Sequence, residues 1–194
     1  MVDDKEKKDE DIVKEVINGD KEAFGFLIYR FEKKLFRYIN RFIYDNHEAE
    51  DLLQGVFIKA YTNLNGFNFN FRFSPWVYRI AHNEIVNYIK KQQKNKLVFG
   101  IDWDVIVPIN TGKSMGEEID VDKLDKWLKD HIEKIPDKYK EVLVLYYFED
   151  MSYKEIADII KIPIATVGVR IKRAKELVRK NYNKYINNKN KNDI

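Results

Sequence analysis

The chain has 194 residues, 44% of them apolar, which suits one large or two small folded domains and excludes wholesale disorder. Cysteine is absent, so disulfides, thiolate metal sites and Cys nucleophiles are excluded, and a reducing cytoplasmic setting is expected. The net charge of +3 hides a polarised distribution: ten Lys or Arg against one acid from Lys161 to Lys191, five against one from Tyr78 to Lys96, and seven acids against four bases in the first fifteen residues. Two separate basic segments suggest two contacts with a polyanion. No apolar run approaches the roughly 20 residues needed to span a bilayer. The acidic start also lacks the apolar core of an export signal.

In chain order, residues 1–19 read as an acidic extension. Asp20 is a plausible N-cap for the helix that follows, where Phe24, Leu27, Ile28, Phe31, Leu35, Tyr38, Ile39 and Phe42 recur at helical steps. A second helix is expected from about 48 to 63, with Leu52, Leu53, Val56, Phe57, Ala60 and Tyr61 on one side. The stretch NGFNFNFRFSP has no helical period and reads as an ordered loop. A third helix is expected over 75–93, with Ser74 as cap and Pro75 in its first position. Its residues Val77, Tyr78, Ala81, Ile85, Tyr88 and Ile89 form a core face. Trp76, Arg79, Asn83, Asn87 and Lys90 fall opposite. Cations that hold phosphates, amides that read base edges and an aromatic ring suit nucleic acid there. Trp76 could equally bury itself against Phe73 or a neighbouring helix.

Residues 96–121 lose the helical period and read as a flexible linker, hence a domain boundary. Four short helices follow, at 122–134, 137–148, 153–160 and 164–187, and 188–194 form a tail. The expected fold is therefore all-α: two small helical domains, residues 20–95 and 122–187, joined by the linker. Ser152 and Glu155 make a capping box before the 153–160 helix. Lys161-Ile162-Pro163 breaks it, and Val167, Ile171, Ala174 and Val178 supply the buried side of the next. This is a helix-turn-helix pattern, whose second helix presents its N-terminal residues to a major groove, with Lys172, Arg173 and Lys175 within reach of bases or phosphates. No phosphate loop or cofactor fingerprint appears, and His47, His82 and His131 form no ligand-like pair. No metal, cofactor or catalytic residue is expected.

The stretch IEKIPDKYKEVLVLYYFEDMSYKEIADIIKIPIATVGVRIKRAKELV resembles region four of bacterial sigma-70 family factors. HEAEDLLQGVFIKAY resembles region two point two, and FSPWVYRIAHNEIVNYIKKQQ regions two point three and two point four. Order and spacing are similar to the small two-domain factors of the extracytoplasmic-function group (ECF, group 4). The resemblance covers about residues 20–95 and 122–185.

That resemblance implies a non-catalytic initiation subunit. It would bind core RNA polymerase through the clamp helices of the largest subunit and the flap of the second-largest, read promoter DNA and help melt it. Its regulator would be an anti-sigma factor, soluble or membrane-bound. Glu50, Asp51, Gln54 and Phe57 would dock on polymerase, although the acids at that helix start also suit the helix dipole. Asn65, Phe67, Asn68, Phe69, Asn70 and Arg72 would form a loop pocket for a base flipped out of the downstream (−10) element. Trp76, Arg79, Asn83, Asn87 and Lys90 would contact that element, with Asn87 where related factors often carry Asp. Thr166, Gly168, Val169, Lys172, Arg173 and Lys175 would meet the upstream (−35) element. Related factors commonly place a basic residue and Ser where this chain has Gly168 and Val169, so its upstream preference should differ. The alternatives are a helix-turn-helix regulator acting without polymerase, which predicts a dimer on a palindrome, and a carboxylate metal nuclease.

Overall fold

The computed structural model describes the backbone of residues 7–95 and 135–192 and the side chains of 7–92 and 135–185. The linker expected over 96–121 and the helix expected over 122–134 lie outside the described residues. The described residues are helical, with no strand among them, and form two compact bodies, one N-terminal and one C-terminal.

The N-terminal body contains α1 (Asp9–Ile17), α2 (Phe24–Asn40), α3 (Asn46–Asn63) and α4 (Phe73–Asn95). Helix α1 corrects the reading of residues 1–19 as an extension. Its Ile12, Val13 and Val16 are buried, its three acids Asp9, Glu10 and Asp11 occupy the favourable positive end, and Arg30 of α2 pairs with Asp9 at 2.6 Å. The acidic composition masked a three-residue apolar stripe. Asp20 accepts the Ala23 N–H at 3.2 Å, so it caps a short 3-10 turn, Lys21–Ala23, that leads into α2. Asp45 caps α3 by accepting from the amides of His47 and Glu48.

Helices α2, α3 and α4 bury their apolar faces together: Leu27, Leu35 and Ile39 from α2, Ala49, Leu53, Val56 and Ala60 from α3, and Val77, Tyr78, Ala81 and Ile85 from α4. Edge-to-face pairs add direction to this packing, Tyr38 to Tyr78 at 5.2 Å and Phe31 to Phe73 at 5.3 Å. Helix α4 starts at Phe73, two residues before the expected position. Its first amide is held by Glu10 Oε1 at 2.7 Å, a partner 63 residues away that no local pattern reveals. Tyr88 and Ile89, expected in the core, are only half-buried. The Tyr88 phenol is pushed above its usual range by burial, then by its hydrogen bond to Glu48 of α3.

The C-terminal body contains α5 (Asp137–Leu143), which continues as a π-helical turn over Val144–Phe148, then residues 153–157 of α6 (Tyr153–Ile160) and α7 (Ile164–Asn192). Val142, Leu143, Val144 and Leu145 are all buried, as are Val167, Ile171, Ala174 and Val178 of α7. Lys140 is buried too, and its ammonium pairs with Asp137 at 3.1 Å. The capping box forms as the residues suggest. Glu155 Oε2 accepts the Ser152 N–H at 2.8 Å, and Ser152 Oγ accepts the Glu155 N–H at 3.3 Å. Lys161 takes a left-handed conformation (φ 57°) that ends α6, and Pro163 accepts the amides of Thr166 and Val167 to start α7.

Candidate polymerase and nucleic-acid surfaces

On α3, Glu50, Asp51 and Gln54 are exposed together, but Phe57 is buried. The expectation of Phe57 as a docking residue is therefore corrected. Steps of three lag the 3.6-residue turn, so Phe57 is rotated by roughly 120° from Asp51, whereas residue 58 returns to within about 20°. Ile58 is the apolar side chain on that face, and 64% of it is exposed. The wheel arithmetic applied from Asp51 would have found it.

The loop between α3 and α4 is anchored and shaped from within. Phe67 is buried, with its ring 5.5 Å from Trp76 and 6.0 Å from Phe73. Phe69 and Phe71 are 44% and 52% exposed. Asn68 Oδ1 accepts the Asn70 N–H at 2.9 Å, an Asx turn that projects the segment outward. Asn65, Asn68, Asn70 and Arg72 are exposed. The three Phe residues thus divide: one ring holds the loop and two remain accessible.

Along α4, Asn83, Asn87 and Lys90 are exposed and Arg79 half-buried, all opposite the buried face. Trp76 is half-buried and tilted against Phe73 at 5.6 Å, so both readings of that ring hold in part. An open groove of about 450 Å³ runs beside the stripe, where Asn83, Glu84, Asn87 and Lys90 meet Lys59 and Asn63 of α3. Lys59 pairs with Glu84 at 2.6 Å across it. Lys59 and Asn63 were missed from the sequence because only helix packing brings them beside α4.

In the C-terminal body, Val169, Lys172 and Arg173 lie opposite the buried stripe of α7, with Lys172 exposed and Arg173 and Thr166 half-buried. Gly168 sits to one side, facing the Tyr153 ring. Lys175 lies on that same flank, its ammonium 5.5 Å from the centroid of the Tyr147 ring. Its hydrogen bond to Tyr147 holds the amine above the usual lysine range. Tyr146 stacks edge-on to both Tyr147 (4.8 Å) and Tyr153 (5.4 Å). This tyrosine cluster beside the helix pair was not singled out from the sequence, although LYYF and SYKE carry it. Among the described residues no group of His, Asp and Glu could hold a metal ion. No described helix is long and apolar enough to cross a membrane.

Two family models and several known proteins match this chain. Residues 27–95 match the family model Sigma-70 region 2, and residues 126–178 match Sigma-70, region 4. The chain is 35% identical over 179 residues to the ECF RNA polymerase sigma factor SigW of Bacillus subtilis, covering 87% of this chain and 93% of SigW. It is 31% identical over 185 residues to the RNA polymerase sigma-H factor of Pseudomonas aeruginosa, covering 90% and 94%. Among solved structures, CnrH in complex with the cytosolic domain of CnrY has a similar fold: TM-score 0.62 and 20% identity over 89% of this chain and 95% of that one. The sigma factor RpoE of Bartonella quintana, solved with the anti-sigma factor NepR, gives TM-score 0.60 and 19% identity, over 82% and 96%.

Proposed function

We propose how the work of a sigma factor is divided in this chain, which belongs to the extracytoplasmic-function group of the sigma-70 family. It is an alternative sigma factor, a subunit that directs RNA polymerase to promoters. In this reading the N-terminal body docks on core polymerase through Glu50, Asp51, Gln54 and Ile58 of α3. The same body engages the downstream element through α4 and the loop before it, and the C-terminal body engages the upstream element through α7. The chain supplies no catalytic group, because polymerase itself makes the phosphodiester bonds, and it works in the cytoplasm.

The observation that carries this reading is the α4 stripe of Arg79, Asn83, Asn87 and Lys90 beside a loop that exposes Phe69 and Phe71. Unstacking a base costs a few kcal/mol, and stacking on an aromatic ring returns about 1–3 kcal/mol per base. Amides supply edge hydrogen bonds and Lys90 meets phosphate, so this face favours an opened strand over a closed duplex. A regulator that reads only duplex DNA has no use for such a surface. CnrH and RpoE were each solved with a protein partner, and a similar anti-sigma protein is the regulator proposed here.

The experiment is in vitro transcription with bacterial core polymerase on a randomised promoter library. Transcripts that require the chain and share an upstream and a downstream element are expected. A chain that binds duplex DNA yet yields no polymerase-dependent transcript would overturn the division proposed here.

A further inference from the structure

Helix α1 holds the loop at two points. Glu10 accepts the Phe73 N–H at 2.7 Å, which satisfies the first orphan amide of α4 at the junction between loop and helix. One turn later, Lys14 places its ammonium 5.7 Å from the centroid of the Phe69 ring. Lys14 is itself paired with Asp11 at 3.0 Å. The helix that carries these groups is latched in turn, since Arg30 of α2 donates to Asp9 at 2.6 Å and to the Lys7 carbonyl at 2.7 Å.

The segment so held is short. Phe67 is buried at one end and Phe73 at the other, and Asn68, Phe69, Asn70, Phe71 and Arg72 span the exposed interval. Inside that interval the backbone restraints include the Asx turn at Asn68 and the Phe71 N–H to the Asn68 carbonyl at 3.0 Å, and the Phe69 ring rests edge-on against buried Phe67 at 5.2 Å. The two hydrogen bonds are solvent-exposed and add little rigidity, so the junction at Phe73 helps set the direction in which the segment meets α4. Glu10 lies in that junction, with its Oε1 committed to the Phe73 N–H.

We propose that Glu10 is a positioning residue for base selection: by capping α4 at Phe73 it holds the Asn68–Phe71 segment in the form that captures an opened base. This rests on the downstream-element reading above. Helix α1, which touches no DNA in this account, would then set how selectively the loop reads a single strand.

The test compares the full-length chain with Glu10→Ala, Glu10→Gln and, as a control, Glu22→Ala. One arm measures hydrogen exchange without DNA. Glu10→Ala should speed exchange at Phe71 and Phe73 about fivefold or more, the effect of losing an ordinary cap, while Glu10→Gln, which keeps an acceptor oxygen, and Glu22→Ala change little. Unchanged exchange at Phe71 would overturn the proposal. So would acceleration of the same size at Leu35 in the core, which would mean that the change merely loosens the domain. The second arm selects from a single-stranded pool randomised over six positions. Glu10→Ala should lose about fivefold in enrichment of the favoured base, with Glu10→Gln restoring it. Unchanged enrichment would overturn the proposal. A wild-type chain with no base preference would instead overturn the downstream-element reading, and the exchange arm would still decide whether Glu10 holds the loop.

Discussion

Gly168 of α7 faces the ring of Tyr153 on α6, and a Cβ built on it would lie 3.5 Å from Tyr153 Cε2. That is an ordinary van der Waals distance, so the glycine is not demanded by space at this crossing. Glycine inside a helix costs about 1 kcal/mol relative to alanine. Gly168→Ala should therefore raise the thermal midpoint of the C-terminal body by several degrees. A lowered midpoint in calorimetry would show that Tyr153 has no room to give.

Gly168→Arg adds a cation on the flank of α7 that already carries Lys175, next to the outward-facing Lys172. Binding of the full chain to duplex upstream DNA should tighten, and the salt slope should steepen by about one ion. Titration at two salt concentrations measures both. Weaker binding would mean that this flank does not approach DNA.

Arg173 and Lys172 lie side by side on the outward face of α7 but are assigned different work. Arg173→Ala should cost roughly 1–3 kcal/mol on the preferred sequence and relax selectivity at one position. Lys172→Ala should weaken all sequences alike. A randomised duplex selection separates the two, and equal weakening of every sequence by Arg173→Ala would make Arg173 a phosphate clamp.

Phe57 and Ile58 are adjacent in sequence but opposed in environment, 9% and 64% exposed. Phe57→Ala should destabilise the N-terminal body by about 3–5 kcal/mol. Ile58→Ala should stay within about 0.5 kcal/mol of the parent stability and weaken core polymerase binding. Asp51→Arg with Gln54→Ala should lose that binding with the fold intact. Normal co-purification of the Asp51/Gln54 variant with core polymerase would remove α3 from the docking surface.

Asn83 and Asn87 are exposed on the stripe of α4 that borders the groove. Replacing both with Ala should reduce transcription from duplex promoters more than from templates already open across the downstream element. An equal defect on both templates would assign the pair to general binding instead of opening.

The chain's sequence by itself determined the elements and much of their outward character. The 3.6-residue recurrence from Phe24 to Ile39 specifies α2, the Ser152–Glu155 box starts α6, and Pro163 starts α7, because each depends on partners within about one helical turn. The stripe Arg79, Asn83, Asn87 and Lys90 was legible for the same reason. The tertiary structure decided what no such window contains. It turned an acidic leader into α1, since Ile12, Val13 and Val16 are buried in the N-terminal body, and it gave Phe73 a cap from Glu10. It also set Lys59 and Asn63 beside Asn87 and placed Lys175 against Tyr147. Periodicity states which way each helix faces, but which faces meet depends on how whole helices pack, and that is decided by all of their buried surfaces at once.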